Sequence, residues 1–406
     1  MANTTPDTST PTAAPAPLRV GLIGYGLAGV VFHAPLITTT PGLHLAAIVT
    51  ADPDRRAQAA ARHPQAHLLG NADELWPLGL DLVVVATPNR THIPLATAAL
   101  RAGVPVVVDK PLAATAAEGA ALAELAESRD LLLSVFQNRR WDGDFRTVSE
   151  LVRAGRLGRV HRFESRFERW RPQLKGGWRE LGDPAEVGGV LYDLGSHLVD
   201  QALTLLGPVS HVYAEADLRR VGAQADDDAF IALTHADGAR SHLWMSAAAA
   251  DLGPRFRVLG SQASYTSWGL DGQEDALRAG RTPVDEDWGR TPAERYGRLG
   301  TVDDSVAHPT LPGAYQRYYQ GIAAALHGQA AAPVEPRDAV AALTVLEAAR
   351  RSAAEGRTVA LQPGAHAGGF SSDPAPTGSA NRSPHTVGVR APIGSAQRSD
   401  AQHPAL

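Results

Sequence analysis

Short apolar runs recur along the first third of the chain: LRVGLIG, LHLAAIV, DLVVVA, VPVVV and LLLSV, all between Leu18 and Val135. Each is too short for a helix and nearly continuous in Val, Ile and Leu, the pattern of a strand buried on both faces. Ala-rich segments of helical character lie between them, at Pro53 to Arg62, Thr91 to Ala102 and Thr115 to Ser128. Strands alternating with helices predict an α/β fold that begins with a doubly wound parallel sheet, a Rossmann domain over residues 18–135.

The rhythm changes after Phe136. A helix is expected at Phe145 to Ala154, followed by longer strand-like segments RVHRFESRFERW, HVYAEADLRRV, AFIALTHA and RSHLWMSA, the last two joined across Asp237-Gly238. Long strands without regular helical crossovers predict a largely antiparallel open sheet. Residues 136–361 therefore read as a second α/β domain. Its last helical region, about Tyr315 to Ala354, precedes a closing strand TVALQ. Residues 1–17 and 362–406 are rich in Pro, Ala, Ser, Gly and Thr without a sustained apolar period, and are expected to be a disordered arm and tail.

Composition narrows the function. Lys and Arg number 38 against 43 Asp and Glu, so no global basic field attracts nucleic acid or anionic lipid. The absence of cysteine excludes a disulfide framework, a thiolate metal site and a cysteine nucleophile, and suits a reducing compartment. Neither a signal peptide nor an apolar run of membrane-spanning length is present, so a cytoplasmic protein is expected. An open sheet with alternating faces is a liability unless covered, which predicts a homo-oligomer, a dimer or tetramer.

Candidate chemistry follows the strands. Gly24-Tyr25-Gly26-Leu27-Ala28-Gly29 leaves the first strand and opens a helix, the setting of a dinucleotide fingerprint: Gly24 for the tight turn, Gly26 for close approach of a pyrophosphate, Gly29 for helix packing. The second strand ends at Thr50 instead of an acid for the ribose hydroxyls. Asp52 stands before Pro53 as a helix cap, and Arg55 and Arg56 suit a 2′-phosphate or else merely solvate the helix. NADP is the expected cofactor, with NAD left open. Thr87, Asn89 and His92 follow the next strand, and Asp109-Lys110-Pro111 the one after, all at the carboxyl edge where such sheets bind ligands. Lys110 there is placed to bind the nicotinamide ribose and stabilise an alkoxide, or is a surface lysine. After Gly188-Gly189, Asp193 and His197 stand four residues apart in a predicted helix, so a carboxylate can orient an imidazole as general base; the alternative is a surface ion pair. Asn138, Arg139, Trp141 and Tyr192 are candidate substrate contacts, since N-R-R-W follows the last Rossmann strand, while Arg140 reads as an interface residue. The scattered histidines show no metal-binding spacing.

The ordered pieces G-Y-G-L-A-G, T-P-N-x-T-H, D-K-P and D-L-G-S-H resemble the Gfo/Idh/MocA oxidoreductases over about Leu18 to Gln362. F-H-A-P-L-I, L-L-L-S-V-F-Q-N-R-R-W-D, L-Y-D-L-G-S-H and D-G-Q-E-D-A-L-R-A-G-R are similar to the scyllo-inositol 2-dehydrogenase subgroup. The resemblance implies Lys110, Asp193 and His197 as the catalytic set, with Asp109 in place of a more usual glutamate. It implies hydride transfer between NADP and a cyclic polyol such as scyllo-inositol, with an aldose dehydrogenase, an NAD-dependent glycosidase and a non-catalytic nicotinamide sensor as the competing functions.

Overall fold

The computed structural model describes residues 16–177, 180–182 and 187–362, so the expected arm and tail lie almost wholly outside the described residues. Six parallel strands, β1 (Leu18–Ile23), β2 (Leu43–Val49), β3 (His67–Leu69), β4 (Leu82–Val85), β5 (Val106–Asp109) and β6 (Leu133–Phe136), form one sheet in the order β3-β2-β1-β4-β5-β6. The valines of β4 and β5 are fully buried because helices cover both faces. The helix after β1 winds its first turn as a π-helix over Gly29–His33 and continues as α1 (Ala34–Thr38); α2 (Pro53–Arg62), α3 (His92–Arg101) and α4 (Ala116–Ser128) supply later crossovers. Strand order reverses between β1 and β4, which opens a crevice at their carboxyl ends.

Beyond β6 a single turn at Asn138–Trp141 leads into α5 (Gly143–Arg153). A nine-stranded sheet follows, built from β7 (Val160–Glu168), β8 (Val209–Asp217), β9 (Asp228–His235), β10 (Arg240–Ser246), β11 (Phe256–Gly260), β12 (Ser264–Ser267), β13 (Gly297–Gly300), β14 (Ser305–His308) and β15 (Val359–Ala360). Its order is β14-β13-β12-β11-β7-β10-β9-β8-β15, and every pair is antiparallel except β7 with β10. The sheet is thus mixed but mostly antiparallel, and β9 alternates buried with half-buried positions along its whole length. Between β7 and β8 lie α6 (Val190–Asp193) and α7 (Gly195–Leu206), and α8 (Gln273–Arg278) follows β12. The last helical region divides in two, α9 (Gln316–Leu326) and α10 (Pro336–Glu355). Gly328, at φ +68°, turns the chain out of the first, and Pro336 at the first helical position starts the second.

Helix α10 packs on α7 and β8 of the second region and on α4 and β6 of the first, so it braces the two sheets against each other. Arg140 pins this junction: its guanidinium donates to both carboxylate oxygens of Asp200 on α7, at 2.8 and 2.6 Å, and to Asp338 on α10 at 3.1 Å. The interface reading of Arg140 is the one its contacts support. Removing one member of a buried ion-pair network leaves the other charges desolvated, at a cost of about 3–5 kcal/mol. Arg140→Ala should lower unfolding stability by about 3 kcal/mol or more by that rule, read from urea denaturation; a loss below about 1 kcal/mol would mean the network adds nothing beyond an exposed pair.

Candidate active site

The glycine turn is built by close backbone contact. Gly24 sits at φ +99°, and a Cβ on it would lie 2.3 Å from the Ala86 carbonyl oxygen; one on Gly29 would lie 2.2 Å from the Gly24 carbonyl oxygen. Only bare backbone brings β1, the turn and the helix this close, and the helix N-terminus is left facing the crevice. Leu27 is about half exposed at the mouth, whereas the Tyr25 side chain turns away into the core, edge-on to His63.

At the end of β2, Thr50 is buried. Asp52 caps α2, accepting from the Arg55 backbone amide at 2.9 Å, so its carboxylate is engaged as its place before Pro53 implied. The two arginines separate. Arg56 donates to the Leu68 carbonyl at 2.7 Å, while the Arg55 guanidinium reaches within 3.6 Å of where a Gly26 Cβ would stand. Arg55 therefore hangs over the glycine turn, and this end of the crevice fits a dinucleotide with a phosphate beside an arginine.

The next two loops are tied together. Both ring nitrogens of His92 face carbonyls, Thr87 at 2.9 Å and Pro111 at 2.8 Å, so His92 is buried between them instead of reaching the cleft. Thr87 accepts at its hydroxyl from Thr91 at 2.7 Å, and Asn89 is buried. Asp109 accepts the Lys110 amide at 2.8 Å, and its other oxygen lies 3.9 Å from His33 Nε2. His33 is fully buried and hydrogen-bonded through Nδ1 to the Tyr319 hydroxyl at 2.7 Å, which backs the Asp109-Lys110 loop with α9.

Lys110 crosses the cleft. Its Nζ donates to Asp193 Oδ1 at 2.8 Å and to the Asp193 carbonyl at 2.6 Å. That carbonyl is withdrawn from helical bonding, and the expected single helix through D-L-G-S-H is broken at Leu194, with the His197 amide bonding to Leu194 instead. The expected Asp193–His197 contact is not formed: Asp193 holds Lys110, and among the described residues no hydrogen bond engages the imidazole. His197 lies nearly parallel to Phe167, at 22° with centroids 6.4 Å apart, and its Nδ1 is buried without a partner. Burial, then the charges of Lys110, Arg139, Arg255 and Arg169, hold its pKa well below the ordinary imidazole value.

These groups share one cleft of two adjoining chambers. A cavity of about 720 Å³ is lined by Leu27, Arg139, Arg169, Asp193 and Glu274 among others, and a smaller one of about 210 Å³ by Asp109, Lys110, Asn138, Arg139, Arg169 and His197 among others. The larger volume falls in the range of small-molecule sites. Asn138 and Arg139 thus face the cleft, with Arg139 held by Asp142 at 3.3 Å and Glu274 at 2.9 Å. Tyr192 and Trp141 do not line it. Tyr192 is buried under the Arg350 guanidinium, 4.4 Å from its ring, and Trp141 packs edge-on against Tyr318 while its carbonyl accepts from Gln273. His33, Arg169 and Glu274 escaped the sequence reading as site residues. His33 stands in the F-H-A-P-L-I stretch and Glu274 in D-G-Q-E-D-A-L-R-A-G-R, but nothing local marks Arg169.

A glycine turn at a strand-order reversal, opening into a cleft with a cross-braced lysine and a neutral imidazole, defines a dinucleotide-dependent oxidoreductase with separate sheets for cofactor and for the opposite wall. Comparison with known proteins makes the assignment specific. The chain belongs to the Gfo/Idh/MocA oxidoreductase family and is an NAD(P)-dependent enzyme: residues 18–137 match the family's NAD-binding Rossmann fold and 149–361 its C-terminal alpha/beta domain. It is 36% identical over 350 residues to the scyllo-inositol 2-dehydrogenase (NADP(+)) IolW of Bacillus subtilis, covering 85% of this chain and 96% of that protein. To the uncharacterized oxidoreductase YdgJ of Escherichia coli it is 43% identical, covering 85% and 99%. The solved YPO2259 structure from Yersinia pestis superposes with a TM-score of 0.80 at 40% identity, covering 86% and 99%. Among the described residues no helix is long and apolar enough to cross a membrane.

The crowding of cations around His197 generates a direct expectation. An ordinary imidazole is half protonated near pH 6.5. Ring nitrogen shifts in ¹⁵N-labelled protein, assigned through His197→Asn, should report a neutral His197 at that pH; a protonated ring there would contradict the electrostatics.

Proposed function

We propose that the enzyme transfers hydride between NADP and a secondary alcohol of a cyclic polyol, with scyllo-inositol and its keto form as first candidates. The observation that carries this reading is the convergence of Lys110 and His197 on one chamber that opens at Leu27 onto the glycine turn. The likeness to a relative named for NADP and scyllo-inositol supports it, as do the non-acidic Thr50 and the position of Arg55. Residues 18–135 serve as the cofactor domain and 136–361 as the substrate and oligomerisation domain. A cytoplasmic homo-oligomer, dimer or tetramer, fits the cysteine-free composition and the open sheet.

A dinucleotide held through its pyrophosphate at the glycine turn would supply the hydride acceptor. Oxidation then requires the hydroxyl proton to leave, and His197, neutral for the reasons given, takes it. The Lys110 ammonium donates a hydrogen bond to the oxygen as negative charge develops on it. Asp193 acts on Lys110, fixing the ammonium by two contacts, and Asn138 and Arg139 line the wall that holds the ring hydroxyls.

Steady-state kinetics should give NADP the higher kcat/KM, and Arg55→Ala should weaken NADP at least tenfold more than NAD; equal losses would show that Arg55 only solvates its helix. His197→Ala should lower kcat by about a hundredfold or more, the size of a lost general base, with cofactor affinity near wild type. Unchanged kcat would remove His197 from the reaction. Efficient oxidation of an aldose with none of any inositol would overturn the cyclitol assignment.

A further inference from the structure

Among the described residues, most of the cleft's shielded cations are paired with acids, and Arg169, partly buried, is not. Arg139 is neutralised by Asp142 and Glu274, Arg278 by Glu274 at 2.8 Å, Arg220 by Asp227 at 2.9 Å and Glu180 at 3.0 Å, and Lys110 by Asp193. Arg169 follows β7, and its backbone is fixed on both sides, donating to the Ser246 carbonyl at 2.8 Å and accepting from the Ala249 amide at 3.2 Å. Its guanidinium lies 4.7 Å from the Phe167 ring centroid, beside the ring on which His197 stacks, and lines both chambers. Among the described residues no carboxylate pairs with it: Glu274 and Asp193 are close enough to be felt, but both are bound to other cations. Burial, with Arg171 and Arg139 beside it, pulls the Arg169 pKa down to about 10. A guanidinium in this position is a charge waiting for a counter-ion.

We propose that Arg169 receives an anionic group of the substrate, a carboxylate or phosphate carried by the cyclic polyol, next to the carbon that is oxidised. The guanidinium fork matches either anion with two parallel hydrogen bonds, which a neutral ring hydroxyl does not offer. Lys110, His197 and Arg169 line the same small chamber, so the anion and the reacting alcohol belong to one ligand. The exposed Arg171, which lines both chambers, and the exposed Lys175, which lines the larger, add positive charge on the approach of such a substrate. This rests on the polyol reading above and extends it: a cyclic polyol that carries a carboxylate or phosphate binds more tightly than the same ring without one.

The test reads binding and turnover separately on the full chain saturated with NADPH or NADP. Calorimetry and initial rates are compared for D-glucuronate, D-galacturonate and D-glucose 6-phosphate, each against its neutral parent sugar. At least one acid should bind tenfold or more tightly than its parent, and Arg169→Met should bring that ratio close to one, with Arg169→Lys recovering part of it. Fluorescence titration should show NADPH affinity of Arg169→Met within twofold of wild type. Equal binding of every acid and its parent would overturn the proposal, as would a loss of NADPH affinity as large as the loss for the acid, which would assign Arg169 to a phosphate of the cofactor. An Arg169-dependent acid preference in binding, with no polyol oxidised, would support the anion site and reject the dehydrogenation proposed above.

Discussion

The ion pair between Lys110 and Asp193 is the contact on which the site's arrangement depends. It joins the carboxyl end of β5 to the start of the helical segment on the opposite wall, and both of its hydrogen bonds are partly shielded from water. The pair takes the Asp193 carbonyl as well as the carboxylate, at the point where the helix is interrupted at Leu194. That break lets α7 begin again with His197 directed at the chamber. A lysine alone on a strand end would sweep a wide arc; doubly held, it presents its remaining donor in one direction.

The same wall carries several positive charges, and their field acts on the imidazole. Lys110, Arg139, Arg169 and Arg255 all disfavour the imidazolium, so His197 is ready to accept a proton but holds it weakly. In the proposed alcohol oxidation, with His197 as base, this favours rapid passage of the proton onward. In the direction of ketone reduction it makes a protonated His197 a strong acid. An anion resting on Arg169 would offset part of this field, which links recognition of the substrate to the proton inventory of the site.

Much of the architecture was legible because it rests on local rules. Short valine runs marked the buried parallel strands, the glycine spacing marked the turn, and Asp52 before Pro53 marked a cap, all of which are nearest-neighbour effects. The three-residue β3 carried too little pattern to be noticed. What failed was inference from sequence proximity to shared direction. The four-residue spacing predicts Asp193 and His197 on one helix face, but the helix is interrupted at Leu194 and Asp193 turns to a lysine 83 residues away. Tyr192, next to Asp193, points to the opposite side and lies under Arg350, and Trp141, three residues from Asn138, turns into the packing around Tyr318. Arg169, Glu274 and His33 come to the site from separate elements, and only tertiary structure shows that Arg169, in an arginine-rich stretch, lines the cleft.

The central claim is that a ring C–H hydrogen leaves as hydride in this cleft. It is tested most directly by incubating the enzyme and oxidised NADP with a cyclic polyol substrate deuterated at every ring carbon, and measuring the mass of the reduced dinucleotide. The account predicts reduced cofactor carrying one deuterium from the substrate with no hydrogen drawn from water. Reduced cofactor without the label, or exchange of the substrate's deuterium with solvent and no net reduction, would contradict it.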